Sequence, residues 1–496
     1  YTGVKDGIEY GIRYSISDEG ILTVTATMQN STQNAFTPDQ ASLVLGIDTY
    51  MKDTYDSYKG LFFPTLLRCE KTHLWGYLES PEKSVVALAV DDPVSSYHLE
   101  YESGQHRIHT AILDLMQKDE TLPERHPRDN STLEAGEARA WNMKLKLSDG
   151  VEKVKEDVRD MMQAPTIDAD RYTLVGGESS VVTVYTEGAI DSAQVTAPDG
   201  SISELPLEKT KDGVYTGVFC PEGDLGVYKL TVEAGGYRSE AMITLRQSWK
   251  WYMQKAKEAA ITHPAKGADC AESWYNLYSA YLGEKYFPDE QDQKVIDDKF
   301  DEIYYRVIKY NENGVPTNNP SRIQNHSTTL GILVDKFEAQ QNSEDLIRAV
   351  GIAEYLMSRQ NQTTGAYMGP SGDYTSVIYP AKSIMELMKQ EKKLIEAGDN
   401  SYDWQAAYNK QYMSVKRAMD NLVALKGDLH TEGQLTFEDG AFSCSATQLS
   451  EFALMHEEGS ADRTKYMDSA LEYLNKHQAL EQEIIPDSRI NGGSLR

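Results

Sequence analysis

The chain has 496 residues and is acidic, with 77 Asp and Glu against 49 Lys and Arg and a formal net charge of −28. Its length exceeds what a single hydrophobic core usually fills, so we expect about three domains. The acidity argues against nucleic acid as a partner, because phosphate binding needs clustered Lys and Arg. No apolar run reaches the ~20 residues of a membrane span. The four cysteines are too scattered for a zinc site or a disulfide framework.

The first part of the chain, residues 1–162, is predicted to be a β-sandwich. Short β-rich runs alternate with clusters of Asp, Gly, Ser and Pro, as expected for that architecture. The charged segment Val151–Met162 is predicted to be a helical linker. The predicted strands are Gly11–Ile16, Ile21–Thr27, Ser42–Ile47, Ser84–Val90, Arg107–Leu115 and Ala138–Leu147.

Residues 166–246 are predicted to form a second, smaller β-unit. Two turn tripeptides, Pro198-Asp199-Gly200 and Lys211-Asp212-Gly213, carry the glycine that a positive φ favours. The runs at 212–215 (DGVY) and 226–232 (GVYKLTV) resemble the immunoglobulin-like modules that bacterial secreted enzymes use as spacers. This resemblance implies an architecture and says little about function. The predicted strands are Val181–Tyr185, Ala193–Ala197, Val214–Phe219 and Tyr228–Glu233.

From residue 247 to 496 the hydrophobic period changes from 2 to 3.6, which predicts helices. A polar, Gly- and Asn-rich loop recurs before these helices, and intervals of 54, 53, 61 and 52 residues separate its copies. Such an interval holds two helices and two loops, so it predicts stacked hairpins whose equivalent loops meet at one mouth. Six hairpins closed into an α/α toroid would need more than about 300 residues. We therefore expect the toroid to be incomplete in this chain, with its C-terminal part missing. The residues that anchor the intervals are Glu272, His326, Tyr379, Gly440 and Gly492.

Two β-units followed by helical hairpins resemble carbohydrate-active enzymes of gut Bacteroidetes. The stretches 373–383 (DYTSVIYPAKS) and 489–496 (RINGGSLR) are most similar to glycoside hydrolase family 154. This resemblance implies an exo-acting β-glucuronidase that removes terminal glucuronic acid from plant glycans. The partner would be a polysaccharide or oligosaccharide, and we expect a secreted, periplasmic or cell-surface location with the leader absent from this sequence.

A second resemblance is local. Asn325 and His326, followed by Tyr379, are similar to the Asn-His and Tyr set of toroid polysaccharide lyases. That resemblance implies that Asn neutralises the uronate carboxylate while His and Tyr handle the C5 proton and the leaving oxygen. Those lyases usually place the toroid before the β-domain, whereas the order is reversed here.

Hydrolysis of a glycosidic bond needs a proton donor and a second carboxylate at ~5–9.5 Å from it. Asp373 is the preferred acid or base, since small residues surround it in its loop, and Glu272 and Glu438 are possible partners. Each of these could instead be a helix N-cap or a first-turn carboxylate. The carboxylates at the predicted mouth are Asp269, Glu272, Asp373, Glu438 and Asp439.

β-Elimination needs a base for the proton next to the carboxylate, and His326 could be that base, since an ordinary pKa of ~6.5 suits proton abstraction near neutral pH. Tyr379 or Tyr374 could protonate the departing oxygen, while Arg322 and Asn325 could hold the carboxylate. Alternatively, Asn325 and His326 cap a helix over 327–340 and Tyr379 fills the core. The predicted substrate-binding residues are Arg322, Asn325, Trp274, Tyr367 and Tyr374, with Trp274 and Tyr367 stacking on sugar rings.

The leading hypothesis is a glycoside hydrolase that acts on uronic-acid-containing polysaccharide. The alternatives are a polysaccharide lyase that uses His326 and Tyr379, and a non-catalytic glycan-binding protein. No nucleotide-binding, nicotinamide-binding or EF-hand motif is present, so no cofactor or metal is predicted, although ligands from several loops could still hold a metal. We expect at least four of six polar residues to share one cavity: Asp269, Glu272, Asp373, Glu438, Arg322 and His326.

Overall fold

The computed structural model divides the chain into two compact units, one built on Tyr1–Gln247 and the other on Ser248–Leu474. Strands dominate the first and helices the second, so the chain is a multidomain protein of β and α parts. The structure describes residues 1–45, 49–50, 56, 59–102, 107–120, 127–262, 275–317, 323–363, 365–367, 379–427 and 441–482.

The first unit begins with two sheets that share one hydrophobic core. The larger sheet has the strand order β1-β2-β3-β11-β8-β7-β6, and the smaller has the order β4-β10-β5 with β9 paired to β10. Met28 and Trp141 from the first sheet pack in one cluster with Leu113 from the second. The strands are β1 Thr2–Lys5, β2 Ile8–Ile16, β3 Leu22–Asn30, β4 Gln40–Val44, β5 Thr49–Tyr50, β6 Phe63–Cys69, β7 Leu74–Glu79, β8 Val85–Val90, β9 Ser96–Glu102, β10 Arg107–Gln117 and β11 Ala138–Ser148.

The segment predicted to be a linker is a packed part of this unit. A 3₁₀ turn at Val151–Lys153 leads into helix α1, Val154–Met161. Val154 and Val158 are buried against Trp75 and Ala87 on the outer side of the larger sheet. The linker interpretation is therefore wrong, because apolar residues at helical spacing give this short helix a buried face.

Two further sheets complete the first unit. Their strand orders are β12-β14-β18-β17 and β13-β20-β19-β15-β16. Gly200 and Gly213 have φ values of 84° and 67°, as the two turn tripeptides predict. The strands are β12 Thr166–Ala169, β13 Thr173–Val175, β14 Ser180–Tyr185, β15 Ile190–Thr196, β16 Ile202–Glu204, β17 Glu208–Lys211, β18 Val214–Phe219, β19 Gly226–Ala234 and β20 Tyr237–Arg246.

The second unit consists of helices that pair into hairpins. The hairpin of α5 and α6 is the tightest, since α5 ends at Gln340 and α6 begins at Ser343. Across it, Lys336 forms an ion pair with buried Asp345 at 3.2 Å. The helices are α2 Trp249–Thr262, α3 Tyr275–Tyr286, α4 Glu290–Asp301, α5 Ile323–Gln340, α6 Ser343–Ser358, α7 Tyr379–Ala397, α8 Trp404–Leu425, α9 Ala441–Leu454 and α10 Ala461–Gln482.

The first helices of three successive hairpins, α3, α5 and α7, run parallel and in register; we call them the leading helices. Contacts join their first turns to each other and their later turns to each other, across 50 to 56 residues of sequence. This offset agrees with the loop intervals found in the sequence, so the leading helices begin at the same end of the unit. The contacts are Tyr278 to Thr328, Lys285 to Glu338, Ser327 to Ser383 and Gln390 to Glu338.

A buried carboxyl group joins α7 to α8. Gln411 Nε2 donates to Glu391 Oε1 at 2.8 Å, and both residues are fully buried. In the described part of the chain, Glu391 Oε2 has no hydrogen-bond partner. Burial raises the pKa of Glu391 from 4.5 to about 8, while the hydrogen bond from Gln411 opposes that shift.

Replacement of this carboxyl group should change how stability depends on pH. Because the folded state holds the proton more tightly, the stability contributed by neutral Glu391 is complete below pH 4.5 and falls as the pH rises to about 8. We expect Glu391→Gln to remove that decline and to raise the free energy of unfolding at pH 8 by about 4 kcal/mol, which follows from the pKa shift of this buried group. Urea unfolding at several pH values measures this change in the free energy of unfolding. Glu396→Gln, an exposed position on the same helix, is the control, and an equal effect in both variants would contradict the prediction.

A membrane-spanning helix is not found in the part of the chain that the structure describes.

Candidate functional site

Most of the predicted site residues lie outside the described residues. Asn325 and Tyr379 are described as helical positions only, in the first turn of α5 and at the start of α7. Ser327 and Ser383 connect these two first turns with an Oγ–Oγ distance of 2.9 Å, so both positions lie at the common end of the leading helices. The shared cavity stays a prediction. The residues outside the described part are Asp269, Glu272, Trp274, Arg322, Asp373, Tyr374, Glu438 and Asp439.

His326 lies within this end of α5. The helix begins at Ile323, so Asn325 and His326 belong to its first turn and the interpretation of them as N-caps is wrong. The imidazole is buried, with 2% of the residue exposed. Its Nδ1 lies 2.5 Å from the hydroxyl of Tyr310, and its ring packs against Tyr355 with 4.8 Å between centroids.

Tyr310 reaches His326 because of the irregular end of the preceding helix. Helix α4 continues into a π-helical segment, Glu302–Ile308, and Lys309 then turns the chain with a φ of 68°. Tyr310 stacks on Tyr304 at 4.9 Å and forms an isolated β-bridge with Pro316. π-Helical segments are frequent at functional sites, where they redirect side chains. Here the segment places a phenol beside an imidazole.

The surroundings of His326 determine its charge. Burial and, to a smaller extent, the nearby Arg359 guanidinium lower the pKa of His326 from 6.5 to about 3. Burial also holds the pKa of Tyr310 well above its usual range. At neutral pH the pair is therefore a neutral imidazole and a neutral phenol. This corrects the expectation of an ordinary pKa near 6.5 for His326. We call Tyr310, His326, Thr329, Tyr355 and Arg359 the His326 cluster.

Tyr367 is not available for stacking on sugar rings. It is fully buried, and its hydroxyl lies 2.8 Å from Ser414 Oγ. It pairs with Gln360 in an isolated bridge after α6, and Gln360 itself bonds to Ser414 on α8. The stacking role predicted for Tyr367 is wrong, because this turn packs its aromatic ring inward against the next hairpin.

The sequence contains a signal for the turn that carries Tyr310. Tyr310 and Tyr367 belong to two equivalent turns that follow second helices of hairpins. In the first turn, Asn311 Oδ1 accepts from the Asn313 amide, and in the second, Asn361 Oδ1 accepts from the Thr363 amide. Each turn also contains a glycine with positive φ. The repeated Asn and Gly are a sequence signal that these two turns are equivalent.

One carboxyl group of α5 also has an unusual pKa. Burial and the nearby carboxylates of Glu338 and Glu386 raise the pKa of Asp335 from 3.8 to about 7, against the opposing charge of Lys285. Asp335 lies within a helix and not in a loop, so the loop pattern in the sequence does not identify it. Across the described residues, no three His, Cys, Asp or Glu side chains are grouped closely enough to hold a metal ion.

The comparisons with known proteins support the fold. No family model matches the chain, and no curated protein matches its sequence. Among solved structures, a polysaccharide lyase, BACCELL_00875, superposes with a TM-score of 0.71 over 96% of this chain and 70% of its own, at 12% identity. The chain shares the fold of this lyase.

Two other solved structures have much lower TM-scores. An unsaturated glucuronyl hydrolase from Bacillus sp. GL1 has a TM-score of 0.26 over 46% of this chain and 81% of its own, at 11% identity. An endoglucanase from Alicyclobacillus acidocaldarius has a TM-score of 0.22 over 66% of this chain and 68% of its own, at 13% identity. At these scores neither structure informs the function of the chain.

Proposed function

We propose that the protein is a carbohydrate-active enzyme that cleaves uronic-acid-containing polysaccharide by β-elimination. The observation that carries this proposal is the fold shared with a polysaccharide lyase over 96% of the chain. The position of His326 at the common end of the leading helices supports it, as does its resemblance, with Asn325 and Tyr379, to the Asn-His and Tyr set of toroid lyases. The uronate specificity rests on the two resemblances in the sequence. A toroid domain and a secreted or periplasmic location belong to the same proposal.

The proposed reaction breaks two bonds and uses no water. A base takes the C5 proton, the C4–O bond breaks, and a C4–C5 double bond forms as the leaving oxygen gains a proton. Removal of the C5 proton builds negative charge on the uronate carboxylate, so the site must supply donors that oppose it. Asn325 and Arg322 are proposed to hold the carboxylate, and Tyr379 or Tyr374 to protonate the leaving oxygen.

A hydrolase resembling an exo-β-glucuronidase is the second candidate, and Asp335 is the observation that favours it. A glycosidase needs a carboxylic acid that stays protonated near neutral pH. The raised pKa of Asp335, about 7, meets that need, and Glu338 and Glu386 are nearby carboxylates. This acid would lie among the later turns of the leading helices, where Lys285 contacts Glu338, and would be separate from the predicted mouth. Asp373, Glu272 and Glu438 keep their proposed roles as acid, base or nucleophile in this mechanism.

The products of uronide cleavage distinguish these candidates. A lyase releases an unsaturated uronate that absorbs ultraviolet light, whereas a hydrolase releases saturated glucuronic acid. For the lyase we expect His326→Ala to lose roughly 100-fold or more in kcat/KM and Asp335→Asn to stay close to wild type. For the hydrolase we expect the reverse: Asp335→Asn should lose most of kcat/KM, and His326→Ala should stay close to wild type.

Folding must be monitored in both variants by circular dichroism and thermal melting, because both positions are largely buried. Saturated product, together with a large loss in Asp335→Asn, would overturn the lyase. Glycan binding without either product would overturn both enzyme proposals in favour of a binding protein.

A further inference from the structure

The contact between Tyr310 and His326 determines which ring nitrogen carries the imidazole proton. The two side chains meet through Tyr310 Oη and His326 Nδ1 at 2.5 Å. Within the described residues, no partner contacts His326 Nε2. Tyr310 therefore holds one nitrogen of the ring, and the tautomer decides whether the other nitrogen donates or accepts a hydrogen bond.

The phenol proton has two neighbours and can be donated to one of them at a time. Tyr310 Oη lies 3.4 Å from Thr329 Oγ1, at the limit of a hydrogen bond, and much closer to His326 Nδ1. An unprotonated imidazole nitrogen is also a better acceptor than a hydroxyl oxygen. Each consideration assigns the proton in this contact to Tyr310.

The other groups around the ring leave it neutral. Tyr355 presents its ring to the imidazole at 4.8 Å, and Arg359 lies over the same tyrosine at 5.7 Å. Arg359 is the charged group that acts on the imidazole, and its positive charge disfavours a second proton on the ring. A neutral imidazole has a single proton, so an Nδ1 that accepts from Tyr310 leaves that proton on Nε2.

We propose that His326 is a neutral hydrogen-bond donor through Nε2–H, and that Tyr310 is the positioning residue that fixes this tautomer. The role of this donor rests on the proposed function. Nε2–H would stabilise the oxygen that becomes negatively charged when the C5 proton leaves. The proton-abstracting base must then be another group, because a protonated Nε2 has no lone pair to accept a proton. This assignment reverses the role that the sequence suggested for His326.

The first test reads the tautomer directly and does not depend on activity. The full chain, labelled with ¹⁵N at its histidines, is recorded by long-range ¹H–¹⁵N NMR, and His326→Gln identifies the signal of His326 among the ten histidines. We expect the Nδ1 resonance at an unprotonated position and the Nε2 resonance at a protonated one, unchanged between pH 5 and 8. A protonated Nδ1 would overturn the proposal. In Tyr310→Phe, which loses only the hydroxyl, we expect protonated Nδ1 to appear, and an unchanged tautomer would overturn the role of Tyr310.

The second test uses two amides that replace different nitrogens of the ring. The amide of His326→Gln reaches the position of Nε2 and can donate there, whereas the shorter amide of His326→Asn reaches only the position of Nδ1. For a donor we expect His326→Gln to keep most of kcat and His326→Asn to lose roughly 100-fold, as when an oxyanion donor is removed. An equal loss in both variants would identify a base and overturn the proposal.

Failure of the proposed function would be visible separately. A wild-type chain that forms no unsaturated product from any uronide would refute the elimination reaction. The NMR experiment would still support or overturn the assignment of the tautomer in that case. Thermal melting of the three variants shows whether each remains folded, and the wild-type spectrum decides the tautomer even if a variant does not fold.

Discussion

Gly314→Ala should be among the most destabilising single-methyl changes in the helical unit. Gly314 has a φ of 75°, and a Cβ there would overlap the carbonyl oxygen of Arg348 on α6. Backbone atoms on both sides of this contact cannot move independently, so overlap costs about 1–3 kcal/mol. The left-handed backbone adds about 1–2 kcal/mol. We expect a total loss of about 2–5 kcal/mol, measured by urea unfolding followed through the helical circular dichroism signal.

Two other glycines separate these contributions. Gly398 has a φ of 73° with open space around it, so Gly398→Ala tests the backbone effect alone. Gly351 lies inside α6, where alanine is normally favourable, but its Cβ would overlap the carbonyl oxygen of Asn313. Gly351→Ala therefore tests the close approach alone. If Gly351→Ala stabilises the protein, as alanine does in an open helix, the packing of the Tyr310 turn against α6 is not as described.

Lys257→Met should have a comparable effect on the packing of α2 against α3. Lys257 and Glu284 are each 3% exposed, and their charged groups lie 2.7 Å apart. Removal of the lysine charge leaves the Glu284 carboxylate buried without this partner, which typically costs about 3–5 kcal/mol. We expect that loss in urea unfolding, and a partial recovery in the double variant Lys257→Met with Glu284→Gln, whose amide carries no charge.

An exposed ion pair provides the control for Lys257. Lys294 and Asp298 lie 3.0 Å apart on α4 with most of each side chain in solvent. Such pairs contribute about 0–1 kcal/mol, so Lys294→Met should hardly change stability. A similar small effect in both lysine variants would show that the buried pair has little importance for the packing of α2 against α3.

The sequence patterns predicted strands best where one face of a strand meets solvent. Strands β3 and β11 alternate in polarity and were predicted, whereas β7 was missed. Leu74 and Leu78 of β7 face the main core, and Trp75 and Tyr77 face the helix α1. A strand buried on both faces has no alternating pattern, so it is detected only where it forms a continuous apolar run, as β8 does and β7 does not. The helices were easier to predict than the strands. On α6, for example, Leu346, Ala349 and Ala353 recur at helical spacing and form one buried face.

The candidate site was predictable only in part. The loop intervals indicated that His326 and Tyr379 would lie at one end of the helical unit, and the parallel leading helices agree with that arrangement. The contacts of Tyr310 and Tyr355 with His326 depend on the tertiary structure. A π-helical segment positions Tyr310, and the neighbouring helix α6 carries Tyr355. The lowered pKa of His326 follows from burial, which depends on this packing and not on any local motif.

The common direction of α3, α5 and α7 has an electrostatic consequence for an acidic protein. Each α-helix has a macrodipole equivalent to about half a positive charge at its N-terminus. Three parallel helices concentrate this positive potential at one end, although the chain has a net charge of −28. Peptide dipoles could therefore attract a polyanionic chain to this end without a basic surface, and the remaining acidic surface would repel it elsewhere.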